Sequence, residues 1–227
     1  KKKIESLKLK NFEYILLDLT NKDLLDNFFH SKQIDIVFHA AAHKHVDIVE
    51  ENINYSCRNN LKSILNVLKA CNSSNIKNFV FVSTDKAVRP TNIMGLTKRC
   101  GELITYYFSQ KNLSNNYCSV RFGNVIGSSG SLLEILRKQV HDGGPITLTD
   151  KKATRYFMTI SDAVSLVLKS TSLKKNGKIL VLNMGKPINI YQLIKSFLKE
   201  NSLSENNFSD PQVKNSIQIK TIGLRKG

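Results

Sequence analysis

The sequence predicts a doubly wound α/β fold, in which a parallel sheet is covered by helices on both faces. Two observations indicate this fold. Short, nearly continuous apolar runs alternate along the chain with longer amphipathic segments, a pattern typical of strands that are buried on both sides. The length of 227 residues and the hydrophobic content of 41% also suit a globular chain with a sizeable core.

The predicted elements follow this alternation in order. Strands are predicted at residues 14–18, 35–40, 78–83, 117–122 and 178–182. Helices are predicted near residues 22–30, 48–70, 94–110, 131–141, 161–173 and 189–200. The crossovers that join such parallel strands are expected to be right-handed.

The start of the chain departs from the usual dinucleotide-binding pattern. Such a sheet normally begins with a strand and a G-x-G-x-x-G turn, whose backbone amides hold a pyrophosphate. Here the first predicted strand ends at Asp18 and is followed by Thr20-Asn21-Lys22-Asp23, which is typical of a helix N-cap. The sheet is therefore expected to lack its first strand, loop and helix, and the chain to be truncated.

The second half of the chain differs in composition from the first. After Arg121 come glycine- and serine-rich turns, shorter elements and a polar stretch. We interpret this half as a smaller lobe over the carboxyl ends of the strands, where ligands bind in such sheets.

Charge ranks the partners that the chain could have. Its 34 Lys and Arg against 18 Asp and Glu give a net charge of +16, which favours anionic ligands, although compositional drift also explains scattered lysines. No Arg-rich run or basic aromatic platform accompanies the charge, so nucleic-acid binding ranks last. The sequence shows no signal peptide and no apolar run of the ~18 residues that a membrane span needs.

Cysteine and histidine spacing argues against a metal site. The cysteines form no C-x-x-C pair and are predicted to be free thiols in a reducing compartment. His43 and His45 lie two residues apart without a carboxylate or thiol partner, so no metal is predicted there. The four cysteines are Cys57, Cys71, Cys100 and Cys118.

The densest cluster of chemically useful residues is VSTDKAVRPTNIMGLTKR, residues 82–99. A strand that ends at Ser83 places Thr84, Asp85 and Lys86 in the loop at its carboxyl end. Met94 and Lys98 are spaced i, i+4 and share one face of the next helix. This layout is typical of short-chain dehydrogenase/reductases, in which the residue four before the Lys is normally Tyr. Without further motifs, these residues have ordinary structural explanations. Asp85 and Lys86 would be a surface pair in a turn, Lys98 a solvated lysine and Met94 a core residue.

Further motifs favour the functional interpretation. TDKAVRPTNIMGLTKR, HAAAHKHV, VRFGNVIGSSGS, TRYFMTISDA and GLRKG resemble the UDP-N-acetylglucosamine 4,6-dehydratases of bacterial polysaccharide and glycoprotein biosynthesis. These CapD-like proteins are extended short-chain dehydrogenase/reductases, and Met in place of Tyr is typical of their long-form members. The resemblance covers nearly the whole chain. It implies a partial NAD(P)-binding Rossmann domain at 1–123 and a substrate-binding lobe at 124–227, with some elements returning to the main sheet.

The resemblance also implies a reaction and the residues that perform it. Oxidation at C4 makes the C5 hydrogen removable, water is lost from C5 and C6, and the hydride returns to C6, so bound NAD or NADP is regenerated in each turnover. Lys86 would be the base at C5 and Asp85 the acid for the leaving hydroxyl. Lys98 would hold the nicotinamide ribose, and Met94 would line the site. Thr84, Lys98 or a water would then serve the C4 hydroxyl.

Binding residues are carried over by the same resemblance. The cofactor positions are Asp18, Leu19, Ala40, Ala41, Ala42, Asn60, Ser83 and Lys98. The substrate positions are Lys44, His45, Asn124, Ser128, Ser129, Arg155 and Arg225. For each of them an ordinary structural role is the alternative: a strand-end turn for Asp18, a helix surface for Asn60, and surface ion pairs for the two arginines.

Several alternatives stay open at this stage. A nucleotide-sugar epimerase or reductase of the same fold is the first, although such enzymes normally keep the Tyr and lack the Asp-Lys pair. A truncated, non-catalytic binding domain is the second. The resemblance further implies UDP-N-acetylglucosamine as substrate, a homo-oligomer, no nucleic acid, and a cytoplasmic location at the inner membrane face through N-terminal helices absent from this chain. NAD versus NADP and the stereochemistry at C5 stay undecided.

Overall fold

The computed structural model describes residues 11–111, 113–128, 130–205 and 216–223. Its centre is a parallel sheet of four strands in the order β1-β2-β3-β8. Four of the five predicted strands are thereby confirmed, together with the doubly wound α/β class. The strands are β1 (Ile36–His39), β2 (Asn78–Val82), β3 (Asn116–Arg121) and β8 (Ile179–Val181).

Seven α-helices and eight short strands complete the described part of the chain. The helices are α1 (Lys22–Ser31), α2 (Val46–Glu51), α3 (Ile53–Ser73), α4 (Ile93–Lys111), α5 (Leu132–His141), α6 (Ile160–Ser170) and α7 (Ile190–Glu200). The short strands pair as β4 (Asn124–Val125) with β7 (Phe157–Met158), β5 (Ile146–Leu148) with β12 (Ile219–Thr221), β6 (Thr154–Arg155) with β9 (Ile188–Asn189), and β10 (Ser204–Glu205) with β11 (Ser216–Ile217).

The strand predicted at residues 14–18 is wrong. This segment has no regular structure, and Leu16 is 93% exposed. A strand needs a neighbour that accepts its backbone hydrogen bonds, and no strand among the described residues pairs with this segment. The first backbone turn follows at Asp18, whose carbonyl accepts from Asn21 N at 3.0 Å.

The helix predicted at 48–70 is two helices. α2 and α3 meet at Asn52, whose φ of −130° and ψ of 49° are not helical. The Asn52 backbone N–H still donates to the carbonyls of Ile48 and Val49, so the break costs few hydrogen bonds.

Alternating residues of the central strands fill two cores. On one face Phe79 and Tyr117 pack with α1, α3 and α4, and on the other face Val80 and Val120 pack with Met158 and α6. All four residues are inaccessible to solvent, and the buried Tyr117 hydroxyl donates to the Ile76 carbonyl at 2.9 Å. Burial of each large apolar side chain contributes about 1.5–3 kcal/mol. The cores therefore fix the strand ends from which the site is built.

The second half of the chain has its own core, made by α5, α7 and β5 with Ile217. However, α6 and β8 also follow residue 123, and β8 pairs with β3 in the main sheet. This placement agrees with the expectation that some elements return to the sheet. The boundary at residue 123 stays a prediction. In the part of the chain that the structure describes, none of the helices has the length and apolar character needed to cross a membrane.

Candidate active site

A cavity of about 630 Å³ lies at the edge of the sheet where β1, β2 and β3 end. The loops after these strands and α4 form its polar side, and apolar residues from α5, α6 and α7 form the opposite wall. Eleven of the predicted site residues line it. They are Ala40, Ala42, Lys44, His45, Ser83, Thr84, Lys86, Met94, Lys98, Asn124 and Ser128.

The loop after β2 presents three polar side chains in a fixed arrangement. Thr84 caps a 3₁₀ turn at Asp85–Ala87, and its hydroxyl donates to Asp85 Oδ1 at 2.9 Å. Lys86 Nζ donates to the same Oδ1 at 3.1 Å and to Asn124 Oδ1 at 3.3 Å. The Asp85 backbone N–H donates to the Phe122 carbonyl at 3.0 Å, which ties this loop to the end of β3. One carboxylate oxygen therefore lies between a hydroxyl and an amine that both face the cavity.

The start of α4 packs directly against this loop. A Cβ on Gly95 would collide with the Lys86 carbonyl, so glycine permits the close approach. Asn92 Oδ1 accepts from Gly95 N at 2.8 Å, and Glu50 Oε1 accepts from Ile93 N at 2.6 Å. Both bonds satisfy free N–H groups of the first helical turn. The fixed helix start places Met94 and Lys98 on the face that lines the cavity.

Lys98 is a buried cation, with 7% of its surface exposed. Its Nζ donates to the Val82 carbonyl at 2.7 Å and lies 4.9 Å from the centroid of the Phe81 ring. Burial lowers the pKa of Lys98 to about 8, against the opposing attraction of Glu102. The side chain can therefore hold or release a proton near neutral pH.

Sequence reasoning missed the carboxylate at the centre of this region. The Glu102 side chain is fully buried and accepts from Ser83 Oγ at 2.6 Å. It also accepts from Arg121 through Nε and Nη2, both at 2.6 Å, and from Arg99 Nη1 at 3.0 Å. Burial raises its pKa, but the hydrogen bonds from Arg121, Ser83 and Arg99 outweigh burial and hold the pKa below its ordinary value. The sequence did contain a signal for this ion pair. Glu102 follows Lys98 by one helical turn, and Arg121 ends the next strand.

The loop after β1 is tied down by Asn60, which is 6% exposed on α3. Asn60 Oδ1 accepts from His43 N at 2.8 Å, and its Nδ2 donates to the His43 carbonyl at 3.2 Å and to Thr97 Oγ1 at 3.1 Å. Asn60 thus joins this loop to α4 and does not itself line the cavity, and neither does Ala41. Asn60 therefore braces the backbone of this loop, and its predicted place among the cofactor contacts stays a prediction.

The turn that enters α5 closes the cavity on the side of the second lobe. Gly130, with a φ of +68°, packs so near His45 that a Cβ would lie 2.7 Å from the imidazole Cε1. The Ser131 hydroxyl is buried and has no hydrogen-bond partner among the described residues. Gly130 N already donates to the Glu134 carboxylate at 2.7 Å. The positive charge of this cavity therefore comes from Lys44 and Lys86, which line it together with the start of α5.

Three predicted residues lie elsewhere. Asp18 Oδ1 accepts from Thr20 N at 2.8 Å, and that hydrogen bond lowers the Asp18 pKa. Leu19 packs on the core next to α3. Arg155 is exposed on β6 and donates from Nη1 to the carbonyl of Thr154 at 2.8 Å. None of the three lines the cavity. The predicted positions 129 and 225 lie outside the described residues.

No group of three or more His, Cys, Asp and Glu side chains suited to a metal ion occurs within the described ranges. All four cysteines are free thiols. Burial raises the pKa of Cys71 to about 12 and that of Cys118 to about 11, so neither is a reactive thiolate near neutral pH.

Known proteins resemble this chain along most of its length. The model of the family described as "Polysaccharide biosynthesis protein" matches residues 1–227. The capsular polysaccharide biosynthesis protein CapD of Staphylococcus aureus is 38% identical over 216 residues, which are 95% of this chain and 35% of that protein. A UDP-N-acetylglucosamine 4,6-dehydratase (inverting) of Campylobacter jejuni is 31% identical over 173 residues, 74% of this chain and 51% of that protein.

A UDP-glucose 4-epimerase of Rickettsia canadensis is also similar, at 33% identity over 171 residues, which are 74% of this chain and 50% of that protein. The chain thus spans between a third and about half of the length of these relatives. The resemblance to CapD-like proteins and their dehydratase relatives is confirmed, and the relatives include both dehydratases and epimerases.

Solved structures agree with the fold. Pen from Bacillus thuringiensis superposes with a TM-score of 0.86 at 30% identity, over 100% of this chain and 67% of Pen. The dTDP-glucose 4,6-dehydratase DesIV of Streptomyces venezuelae, solved as a double mutant with NAD and DAU bound, gives a TM-score of 0.78 at 15% identity, over 100% of this chain and 78% of DesIV. The Rossmann-like fold of short-chain dehydrogenase/reductases is therefore confirmed.

Proposed function

Because this chain belongs to the polysaccharide biosynthesis protein family, we propose that it carries the catalytic residues of a nucleotide-sugar 4,6-dehydratase acting on UDP-N-acetylglucosamine. The observation that carries the proposal is that Thr84 and Lys86, which line the cavity together with Met94 and Lys98, both donate to Asp85 Oδ1. Asp85 itself is not among the residues that line the cavity. An acid and a base that share one hydrogen bond suit an elimination, in which one group takes a proton and the other supplies one.

The chain's own residues would act on a sugar whose C4 is a ketone. The ketone makes the C5 hydrogen acidic, and Lys86 would act as the base that takes it. A C5–C6 double bond forms as the C6–O bond breaks, and the Asp85 carboxyl group protonates the departing oxygen, which leaves as water. Lys86 then returns a proton to C5. Lys86 is then unchanged, and Asp85 has lost one proton. The proton released from the C4 hydroxyl on oxidation replaces it, by way of the Thr84 hydroxyl, which donates to Asp85 Oδ1 at 2.9 Å.

The residues present fit the nicotinamide half of a dinucleotide. Ala40 and Ala42 give the cavity small side chains at the end of β1, and the buried Lys98 ammonium lines the same space. When bound, a nicotinamide dinucleotide would accept the C4 hydride and return it to C6, without net oxidation of the sugar. Ala40, Ala42, Ser83 and Lys98 would hold that half. The G-x-G-x-x-G motif for the pyrophosphate is not in this sequence.

Met94 cannot exchange a proton with the C4 hydroxyl, so another group must. Thr84 Oγ1 already donates to Asp85 Oδ1. It can therefore accept the proton of the C4 hydroxyl while its own proton moves to the Asp85 carboxylate. Lys98, with a pKa of about 8, can accept the proton directly. The substrate's diphosphate would lie near the start of α5, with Lys44, His45, Asn124 and Ser128 as further contacts.

An epimerase is the second candidate, because one of the similar proteins bears that name. Loss of water separates the two reactions, since an epimerase inverts C4 and retains the C6 hydroxyl. The place of the reaction, which we propose to be the cytoplasmic side of the membrane, and the assembly of the chain into a homo-oligomer belong to the same proposal.

The test is proton NMR of the full-length gene product that contains this chain, incubated with NAD(P) and UDP-N-acetylglucosamine in deuterated water. We expect a 4-keto-6-deoxy sugar that carries deuterium at C5. Lys86→Met should abolish this product, and Lys199→Met, an exposed lysine on α7, should not. A 4-epimer that retains its C6 hydroxyl, or unchanged substrate with bound dinucleotide, would contradict the proposal.

A further inference from the structure

Glu102 lies next to the proposed site but does not line the cavity. Its side chain has no solvent exposure, and the cavity wall above it is formed by Ser83 and Lys98. Glu102 therefore cannot touch a substrate. Any influence it has on the reaction must pass through the residues that it holds.

Its four hydrogen bonds reach three elements that meet below the cavity. Ser83 follows the last residue of β2, Arg121 is the last residue of β3, and Arg99 is on α4 with Glu102 itself. The Ser83 backbone N–H donates to the Val120 carbonyl at 2.7 Å, so the two strand ends are also joined directly. One carboxylate thus connects both strand ends to the helix that carries Lys98.

The Thr84–Lys86 loop is suspended between these two strand ends. Thr84 follows Ser83 directly, and the Asp85 backbone N–H donates to the carbonyl of Phe122, the residue after Arg121. A shift of Ser83 or Arg121 would therefore move Asp85 and Lys86 relative to Lys98. Misplacement of catalytic groups by about 1 Å can cost roughly 10²-fold in rate.

We propose that Glu102 is the positioning residue of this site: its buried carboxylate fixes the ends of β2 and β3 and so sets the Thr84-Asp85-Lys86 loop against Lys98. The activity part of this proposal rests on the proposed dehydratase function. The positional part does not, because it concerns the conformation of the loop alone.

Charge gives Glu102 a second effect, on Lys98. The groups that face Lys98 are Glu102 on its own helix, the Phe81 ring and Val82 carbonyl on β2, and the buried His39 on β1. Glu102 is the group among them that raises the Lys98 pKa. Replacing it with a neutral side chain should lower that pKa. The part of the pH-rate profile that follows the titration of Lys98 (its limb) should then move to lower pH. The direction is the same whether the reaction needs Lys98 as ammonium or as amine.

Glu102→Gln tests the proposal, because it keeps the side-chain volume and an acceptor for Ser83 but removes the charge and the bidentate contact with Arg121. The matched control is Glu205→Gln in the second lobe, where the carboxylate accepts from Tyr191 Oη at 2.7 Å. The full-length protein is compared by steady-state kinetics across pH and by hydrogen exchange of the peptide that spans residues 83–88.

For Glu102→Gln we expect kcat to fall roughly 10- to 100-fold with a KM change below about threefold, a limb shifted to lower pH, and faster exchange at residues 83–88. Glu205→Gln should change none of these. Normal exchange and an unshifted limb in a folded Glu102→Gln protein would overturn the proposal. If wild type has no dehydratase activity, the proposed function fails, and the exchange result alone decides the positioning role.

Two further variants keep the test decisive if Glu102→Gln does not fold. Ser83→Ala removes one hydrogen bond and leaves the ion pair with Arg121, so it should fold and show a smaller increase in exchange at residues 83–88. Glu102→Asp keeps the charge, so the pH limb should return towards its wild-type position even if kcat stays low. A Ser83→Ala protein with wild-type exchange and kcat would overturn the proposal.

Discussion

Two stretches of the chain carry nearly the same pattern, yet only one of them is a strand. YILLD at residues 14–18 and NFVFV at 78–82 are both apolar runs that lead into a polar loop. The second forms β2, with a parallel neighbour on each side, whereas the first has no regular structure. Local pattern sets the tendency to form a strand, and a neighbouring strand decides whether one forms.

The difference continues into the loops that follow. The loop after β2 is held by the end of β3 and by α4, which carries Glu102, and its Thr84 and Lys86 line the cavity. The turn at Asp18 is held locally by Thr20 N and Asn21 N, and from α3 by Asn66 Nδ2, which donates to the carbonyls of Leu19 and Thr20, both at 3.1 Å. The two segments therefore differ in how many elements of the fold hold them.

The largest expected effect is in the core of β2. Phe79→Ala removes a fully buried ring that packs on Tyr117 and should destabilise the fold by about 4 kcal/mol. Leu16→Ala, at a side chain that is 93% exposed, should stay within about 0.5 kcal/mol of wild type. Chemical denaturation of both variants measures the difference. Similar losses in the two variants would show that residues 14–18 are packed after all.

A smaller effect is expected at the edge of the sheet. His39 ends β1, stacks beside Phe79 and Phe81, and has an Nε2 without a hydrogen-bond partner among the described residues. Burial, with a further contribution from Lys98, lowers its pKa from 6.5 to about 4.

Because the folded pKa of His39 lies below the unfolded one, the unfolded chain binds a proton first and stability falls as pH drops from about 6.5 towards 4. The loss should be about 2 kcal/mol between pH 7 and pH 5. His39→Phe should flatten this part of the stability curve, and His141→Phe, at an exposed residue, should leave it unchanged. If the unfolding free energy of His39→Phe falls with pH as steeply as that of the wild type, other groups cause the acid sensitivity.

The hydrogen bonds by which Asn60 holds the loop after β1 should contribute less to the free energy of unfolding. Asn60→Ala removes four hydrogen bonds, two of them with the backbone of His43, and should cost about 1–2 kcal/mol of unfolding free energy. It should also increase hydrogen exchange at residues 40–45. Asn54→Ala, at an exposed position of the same helix, is the control. Unchanged exchange in Asn60→Ala would show that α2 alone holds the loop.

The smallest effect is expected at Asp18. Hydrogen bonds from Thr20 lower its pKa, so its contribution to stability is present above its ordinary pKa and is lost as pH falls through the lowered value. Asp18→Asn should remove that acid dependence and change stability at neutral pH little, since the side chain is exposed. Thermal unfolding at several pH values measures it. A large loss at neutral pH would mean that the turn carries more structure than its contacts indicate.

Sequence patterns predicted the parts of the fold that depend on local order. Continuous apolar runs predicted β1, β2, β3 and β8, although only the inner strands β2 and β3 are mostly buried and the edge strands β1 and β8 are partly exposed. The i, i+4 spacing of Met94 and Lys98 put both on one helix face, and both line the cavity. The helix break at Asn52 has no Pro or Gly to signal it. The contribution of Glu102 depends on Arg121, nineteen residues away on another strand, so it becomes visible only when the sheet is assembled. Arg155 was named from a motif, and its exposed position on β6 follows from pairing with β9.

The central claim is that Lys86 removes the C5 proton after C4 has been oxidised. It is tested most directly by a single-turnover reaction of Lys86→Met with UDP-N-acetylglucosamine and bound dinucleotide, monitored by the absorbance of reduced nicotinamide and by NMR of the sugar. The account predicts that reduced nicotinamide accumulates while the C6 hydroxyl is retained and no deuterium enters C5. Normal formation of the 4-keto-6-deoxy sugar by Lys86→Met would contradict it.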